Sequence, residues 1–355
     1  MRSVLKALAI LWGLAVLAAA PAAGRPPVAV RAVGDLILGS AVKEEIAAHG
    51  ADYPFARIAS SLRRADLTVG NLEGPLTNAA IPTSGKRPQD VRAGLQFIFR
   101  APPACADGLA RAGFDIVTVA NNHAADYREV GLDDTLQALA ARGIAAVGAG
   151  RDLSAARAPA VLYRRGRRVA FLAYSDVIPP LAAATAERAG ISPSRQPGVP
   201  FERLAARDIA RARRRADFVI VLVHWGVERS GRPTPEQRRI GRAMVDAGAC
   251  AVIGHHPHVL QGIERRGNGI IAYSLGNFVH VAGAATMDSA VLTLTLAPGR
   301  PPGCDVTPVV IRQGQPQPAR GEAARRILEH LAALSRALGT GMTVGPGGAR
   351  VAGKA

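Results

Sequence analysis

Six short polar patches each close an apolar run: Gly34-Asp35, Asn71-Leu72-Glu73, Asn121-Asn122-His123, His224-Trp225-Gly226, His255-His256-Pro257-His258 and Ser274-Leu275-Gly276-Asn277. Five of the eight histidines fall in them, and that concentration is the main functional signal. Carboxylate, amide and imidazole groups at the carboxyl ends of strands suit Mn, Zn, Fe or Mg rather than a thiolate metal. Two such ions about 3.5–4 Å apart can activate a water and clamp a phosphoryl or acyl oxygen.

Each patch also has an ordinary structural reading. Three imidazoles are costly to bury without partners, and Pro257 lets His255, His256 and His258 turn toward one centre. The alternative is an exposed histidine-rich turn. The carbonyl of Asn121 or Asn122 can ligate a cation while His123 serves as proton donor; asparagine also favours helix caps and turns. Asp35 and Glu73 can fix a divalent cation or cap a helix. His224 ends the most apolar strand, where a hydrogen-bonded core histidine is the usual finding. Ser274 and Asn277 are donors behind the ligands or a tight turn around Gly276. Independent turns would not place these groups repeatedly at strand ends, so the six together favour one site.

The elements that must position them alternate. Strands are expected at Val28–Val33, Leu67–Val69, Ile116–Ala120, Ile144–Val147, Val169–Tyr174, Phe218–Val223 and Ala251–Ile253. Helices are expected around Phe55–Arg64, Pro103–Ala112, Glu129–Arg142, Phe201–Arg215 and Glu236–Ala247. This alternation predicts an α/β fold with largely parallel strands. Ile270–Ser274, Ala290–Leu296 and Val306–Ile311 follow without helices between them, which predicts antiparallel pairing and a second sheet packed on the first. Ile178–Pro200 reads as a long loop, Gly314–Ala319 as a linker-like break, Gly321–Leu338 as a helix, and the end from Gly339 as mobile.

The chain has 355 residues and a net charge of +17, and only four of its 44 basic residues are lysines. The arginine excess is either genome composition or a surface for acidic polymers, phosphates or anionic membranes. Aromatic content of 4% argues against a base-stacking platform, so no nucleic-acid partner is expected. Arg2 and Lys6, the apolar stretch Ala7–Ala20 and Ala20-Pro21-Ala22 read as a signal peptide over 1–22. Export to the periplasm or cell envelope is expected, with an uncleaved anchor as the alternative. Cys105, Cys250 and Cys304 have no CxxC spacing; they exclude a disulfide scaffold and leave room for one bridge.

The ordered motifs resemble the CapA family of capsule-synthesis proteins, which act in poly-γ-glutamate biosynthesis. The resemblance rests on Gly34-Asp35, Asn71-Leu72-Glu73-Gly74-Pro75-Leu76-Thr77, Phe99-Arg100-Ala101-Pro102-Pro103 and Ala112-Gly113-Phe114-Asp115. It continues through Ala120-Asn121-Asn122-His123 with Asp126-Tyr127, His224-Trp225-Gly226 with Glu228, and Pro235-Glu236-Gln237. Gly254-His255-His256-Pro257-His258-Val259-Leu260-Gln261-Gly262 and Tyr273-Ser274-Leu275-Gly276-Asn277-Phe278 complete it. That family looks like a relative of the calcineurin-type metallophosphoesterases. The resemblance therefore implies a metallo-dependent phosphatase-like, four-layer α/β/β/α sandwich over 28–311, followed by a linker, helix and mobile tail over 312–355.

It also implies a site. Asp35, Glu73, Asn122, His224, His256 and His258 would ligate one or two divalent ions (Mn, Zn, Fe or Mg), with His123 as proton donor. Asn71, Asn121, Asp126, Glu228, His255, Ser274 and Asn277 would stand behind the ligands or against substrate. The match is imperfect. Ile37 replaces the histidine of the relatives' Asp-x-His, and Asn71 replaces a bridging Asp. His255 could substitute for the lost ligand. Arg128 stands where Gly is usual and Arg229 where an aromatic is common. The implied role is synthesis or export of poly-γ-glutamate or a similar anionic polymer, with membrane-bound synthase partners and no settled reaction. A periplasmic hydrolase of phosphoesters or cell-wall amides, and a non-catalytic polyanion-binding module, are the alternatives.

Overall fold

The computed structural model describes residues 25–82, 86–179, 181–281 and 287–353. The expected signal segment lies outside them. Among the described residues no helix is long and apolar enough to cross a membrane.

Two sheets stack face to face. The larger runs in the order Met342–Gly345, Gly348–Val351, Gly303–Arg312, Met287–Leu296, Val28–Leu36, Leu67–Leu72, Ile116–Thr118, Ala145–Val147. Asn277–Val279 joins it parallel to Val28–Leu36, and Gln315–Pro318 pairs with Gly303–Arg312. The smaller sheet runs Ile263–Arg266, Gly269–Ala272, Ala251–His255, Phe218–His224, Arg167–Ser175, Ala160–Arg164. In both, the central strands are parallel; the last third supplies most of the antiparallel pairing, and the hairpin Ala160–Arg164 with Arg167–Ser175 adds an antiparallel edge to the smaller sheet.

The layers follow from side-chain alternation. In Phe218–His224, Ile220 and Leu222 join the core between the sheets, while Val219, Val221 and Val223 pack against the helices Phe201–Arg213 and Pro235–Asp246. In Val28–Leu36, Val28, Val30 and Ala32 face the same inter-sheet core. Val33 and Leu36 face Val42–His49, Cys105–Ala112 and Arg128–Ala140. Helix, sheet, sheet, helix is therefore the order, the expected four-layer α/β/β/α sandwich. Each buried Val, Leu or Ile contributes about 1.5–3 kcal/mol to holding the layers together.

Three expectations need correcting. Gln315–Pro318, read as a break because of its prolines, is an edge strand, a position that tolerates a missing N–H. The end from Gly339 forms a hairpin, Met342–Gly345 with Gly348–Val351, turned at Pro346-Gly347 and joined to Gly303–Arg312. The expected helix Phe55–Arg64 is only a 3-10 turn, Tyr53–Phe55, and the short helix Ala59–Leu62. The three cysteines are free thiols. Ile263 N donates to Ser335 Oγ at 2.9 Å, so the helix Gly321–Arg336 ties the smaller sheet to the edge of the shared core.

Candidate metal centre

The parallel strands of both sheets deliver their polar ends to one place. Register pairs Asp35 with Asn71 and Asn277 in one sheet, and His224 with His255 in the other. A bulge between Ala32 and Asp35 breaks the alternation of the first strand and re-aims the Asp35 side chain. Gly34 is obligatory at that bulge, because a Cβ there would lie 1.9 Å from the Gly276 carbonyl oxygen. The histidine turn is strained: His256 has φ 97° and His258 φ 60°, conformations that side-chain-bearing residues rarely adopt.

Glu73, His224 and His256 offer ligand atoms that all lie within 4.8 Å of one another, as do Asp35, Glu73 and His258, and Glu228, His256 and His258. Asn122 Oδ1 lies 2.7 Å from His224 Nε2 and so belongs to the same cluster. Glu73 is fully buried, yet neither carboxylate oxygen has a hydrogen-bond partner. Burial pushes its carboxyl up to about 8, with His258 opposing and Asp35 adding. A buried acid that no donor satisfies, facing three imidazoles, fits a divalent cation. The donor set of carboxylates, an amide oxygen and imidazoles agrees with that fit.

The other groups hold these ligands. Asp35 accepts from Asn71 Nδ2 at 2.9 Å, and its second oxygen lies 3.2 Å from His258 Nδ1. Asn277 Oδ1 lies 2.9 Å from the same Nδ1, which leaves His258 Nε2 facing Glu73. Burial alone would depress His258, but the carboxylates of Glu73 and Asp35 raise it to about 10. Burial likewise opposes ionisation of Asp35, and the bond and charge of His258 overcome it and hold this carboxyl below its usual range. His224 is driven well below the usual imidazole range by burial and by its histidine neighbours, and His256 down to about 4, chiefly by burial.

Asn121 is fully buried and organises two loops, donating to Asn71 Oδ1 at 3.0 Å and to the Leu72 carbonyl at 2.8 Å. Its own oxygen accepts from His123 N. His255 is turned away from the cluster, with Nε2 3.2 Å from the Val33 carbonyl at the bulge, so it does not replace the missing ligand. Ile37 is buried. Ser274 donates to the Val259 carbonyl and accepts from Gly276 N, which closes the turn carrying Asn277. Glu228 is exposed at the rim.

His123 is set apart from the ligands. Its Nδ1 lies 2.9 Å from Asp126 Oδ2, and its ring packs on Phe99 at 4.2 Å. Asp126 also accepts from Phe99 N at 2.8 Å and from Lys86 Nζ. Lys86 Nζ is 3.1 Å from His123 Nδ1 as well. Neither Lys86 nor Phe99 was expected here from the sequence. A usable signal was the survival of a lysine in a chain that otherwise writes its positive charge as arginine.

Residues 29–281 match the family model described as bacterial capsule synthesis protein PGA_cap. The capsule biosynthesis protein CapA of Bacillus anthracis is 35% identical over 288 residues, covering 81% of this chain and 68% of that protein. The PGA biosynthesis protein CapA of Bacillus subtilis (strain 168) is 34% identical over 297 residues, covering 83% and 74%. Among solved structures, the crystal structure of TT1561 of Thermus thermophilus superposes with a TM-score of 0.40 at 12% identity, covering 75% of this chain and 94% of that one. With the polar strand ends all inside the matched span, the chain belongs to the bacterial capsule synthesis protein family PGA_cap.

Proposed function

We propose that this protein acts at the cell envelope in the synthesis or export of poly-γ-glutamate or a similar anionic capsule polymer, around one divalent cation. Glu73, Asn122, His224, His256 and His258 would hold the cation, with Asp35 both a ligand and the partner that orients His258. Glu73 carries the metal reading: a buried carboxylate without a single donor among three histidines is best accounted for by a cation. The apolar Ile37 favours one ion over two. Family membership and the names of the two Bacillus relatives support the polymer. The charged and apolar N-terminal pattern supports export, where a membrane-bound synthase would be the partner.

A divalent cation bound there supplies Lewis acidity toward a phosphoryl or amide oxygen. The chain's own residues contribute position and a proton site. Asp126 occupies His123 Nδ1, so Nε2 is the atom free to give or take a proton. Phe99 excludes water from one face of that ring.

The test is metal content of the purified chain by elemental mass spectrometry, wild type beside His256→Ala/His258→Ala. Near-stoichiometric metal in the wild type and its loss in the variant are expected. No metal in either, even after incubation with manganese and zinc, overturns the metal centre and leaves a polymer-binding module.

A further inference from the structure

We propose that the groove leading from His258 to the C-terminal helix binds the carboxylates of the anionic polymer, with Arg229 selecting for negative charge. This rests on the polymer reading above and assigns that reading a surface.

The groove has a volume of about 610 Å³, and its lining includes Arg229, His258, Met287, Asp288, Arg326 and His330. One end is therefore a member of the ligand cluster, and the other is the helix Gly321–Arg336, which lies beyond the family match. A chain seated in it would pass directly from the cationic wall to the cluster.

Arg229 is built into that wall rather than scattered on it. Its backbone is held at φ 59°, a strained conformation for a residue with a side chain. Its N–H donates to the Pro257 carbonyl at 2.8 Å, which clamps it to the turn that carries His256 and His258. The next residue is fixed as well, because Gln261 Nε2 donates to the Ser230 carbonyl at 2.8 Å. Among the described residues no carboxylate is ion-paired with the Arg229 guanidinium, and a carboxylate oxygen of neighbouring Glu228 lies within 4.8 Å of ring nitrogens of His256 and His258. Arg229 is exposed, so its planar guanidinium, without a counter-ion and beside the ligand cluster, is available to a carboxylate from outside.

Arg326 acts differently. Asp288 holds it through both guanidinium nitrogens, so it shapes the groove without adding free charge. The apolar Leu260 and Met287 offer contact to the methylene groups of an acidic side chain. A larger arginine-rich cleft, with Arg214 and Arg215 beside Arg157 and Asp208, does not reach the ligand cluster and serves as an internal control.

The experiment is binding of a fluorescently labelled γ-linked decaglutamate to the full chain, followed by anisotropy, with metal content and melting temperature recorded for each variant. Arg229→Gln is expected to weaken binding about ten-fold, the scale of a lost charge-assisted pair. Arg229→Lys, which keeps the charge without the planar fork, should fall between wild type and Arg229→Gln, and Arg214→Gln/Arg215→Gln should match wild type. Unchanged binding in Arg229→Gln overturns the proposal, as does an equal loss in the Arg214/Arg215 variant or no binding by the wild type. A wild type without metal that still binds decaglutamate through Arg229 would sink the metal centre and leave the groove standing.

Discussion

Glu73 stands between His224 and His258, with Oε1 3.8 Å from a ring nitrogen of each. Two imidazoles at that distance are too far for a good hydrogen bond and too near to be indifferent. The spacing leaves the carboxylate to whatever cation enters the cluster.

Glu73→Gln keeps the shape and removes the charge. Metal affinity is expected to fall by at least about ten-fold, since a charged ligand is replaced by a weaker neutral one. Circular dichroism should be unchanged. Isothermal titration with manganese and zinc measures the effect, and wild-type affinity in this variant would remove Glu73 from the centre.

The metal-free protein should lose stability as pH rises from about 7 to about 8.5. His258 is raised to about 10 and Glu73 to about 8, both above their ordinary values. Between the ordinary and the raised value the folded state binds more protons than the unfolded one, so stability falls with pH across that window. His224 and His256 are shifted the other way and act below their ordinary range, outside the window. A bound cation takes the place of the proton, so the slope should flatten in the metal-loaded protein. Melting temperatures with chelator and with manganese provide the comparison, and equal slopes would contradict the assignment.

The strand ends were the legible part of this sequence. Asp35, Asn71, Glu73, Asn122, His224, His256 and His258 each follow an apolar run, so a polar group at the end of a buried strand gave them away. What escaped notice depends on contacts between distant segments. Lys86 comes from a stretch without periodicity and Phe99 was legible only as a motif residue without a role; only the folded chain lays them on His123 and Asp126. The orientation of His255 depends on a bulge in a strand far away in sequence. The hairpin Met342–Gly345 with Gly348–Val351 is short and glycine-rich, and it gains its stability from the sheet it joins.

Gly254→Ala should destabilise the protein by about 2–4 kcal/mol, from overpacking and a lost hydrogen bond. A Cβ at this position would lie 1.9 Å from the Tyr273 carbonyl oxygen and 2.4 Å from Trp225 Nε1. Those two atoms bond to each other at 3.1 Å, so the methyl group must separate them. Urea unfolding followed by tryptophan fluorescence reads the loss. A change under about 0.5 kcal/mol, the size of an ordinary surface substitution, would mean that the strands yield more easily than this packing allows.

Asp126 separates a structural role from an electrostatic one. Its carboxylate accepts from Phe99 N and faces His123 Nδ1 with one oxygen, and accepts from Lys86 with the other. Asp126→Ala would leave Phe99 N and His123 Nδ1 without this acceptor and remove the carboxylate from Lys86, which keeps the Phe97 carbonyl at 2.8 Å, at a cost of about 3–5 kcal/mol. Asp126→Asn retains one oxygen. Turned toward Phe99 and His123 it preserves both of those contacts, while its NH2 meets the Lys86 ammonium and loosens it, leaving the Phe97 carbonyl as an acceptor. The asparagine variant should therefore be much the more stable of the two and keep the His123 Nδ1–H tautomer in long-range proton–nitrogen spectra. Its Lys86 should become accessible to amine-directed acetylation. Equal destabilisation of both variants would show that the charge of Asp126, rather than its hydrogen-bond geometry, holds His123 in place.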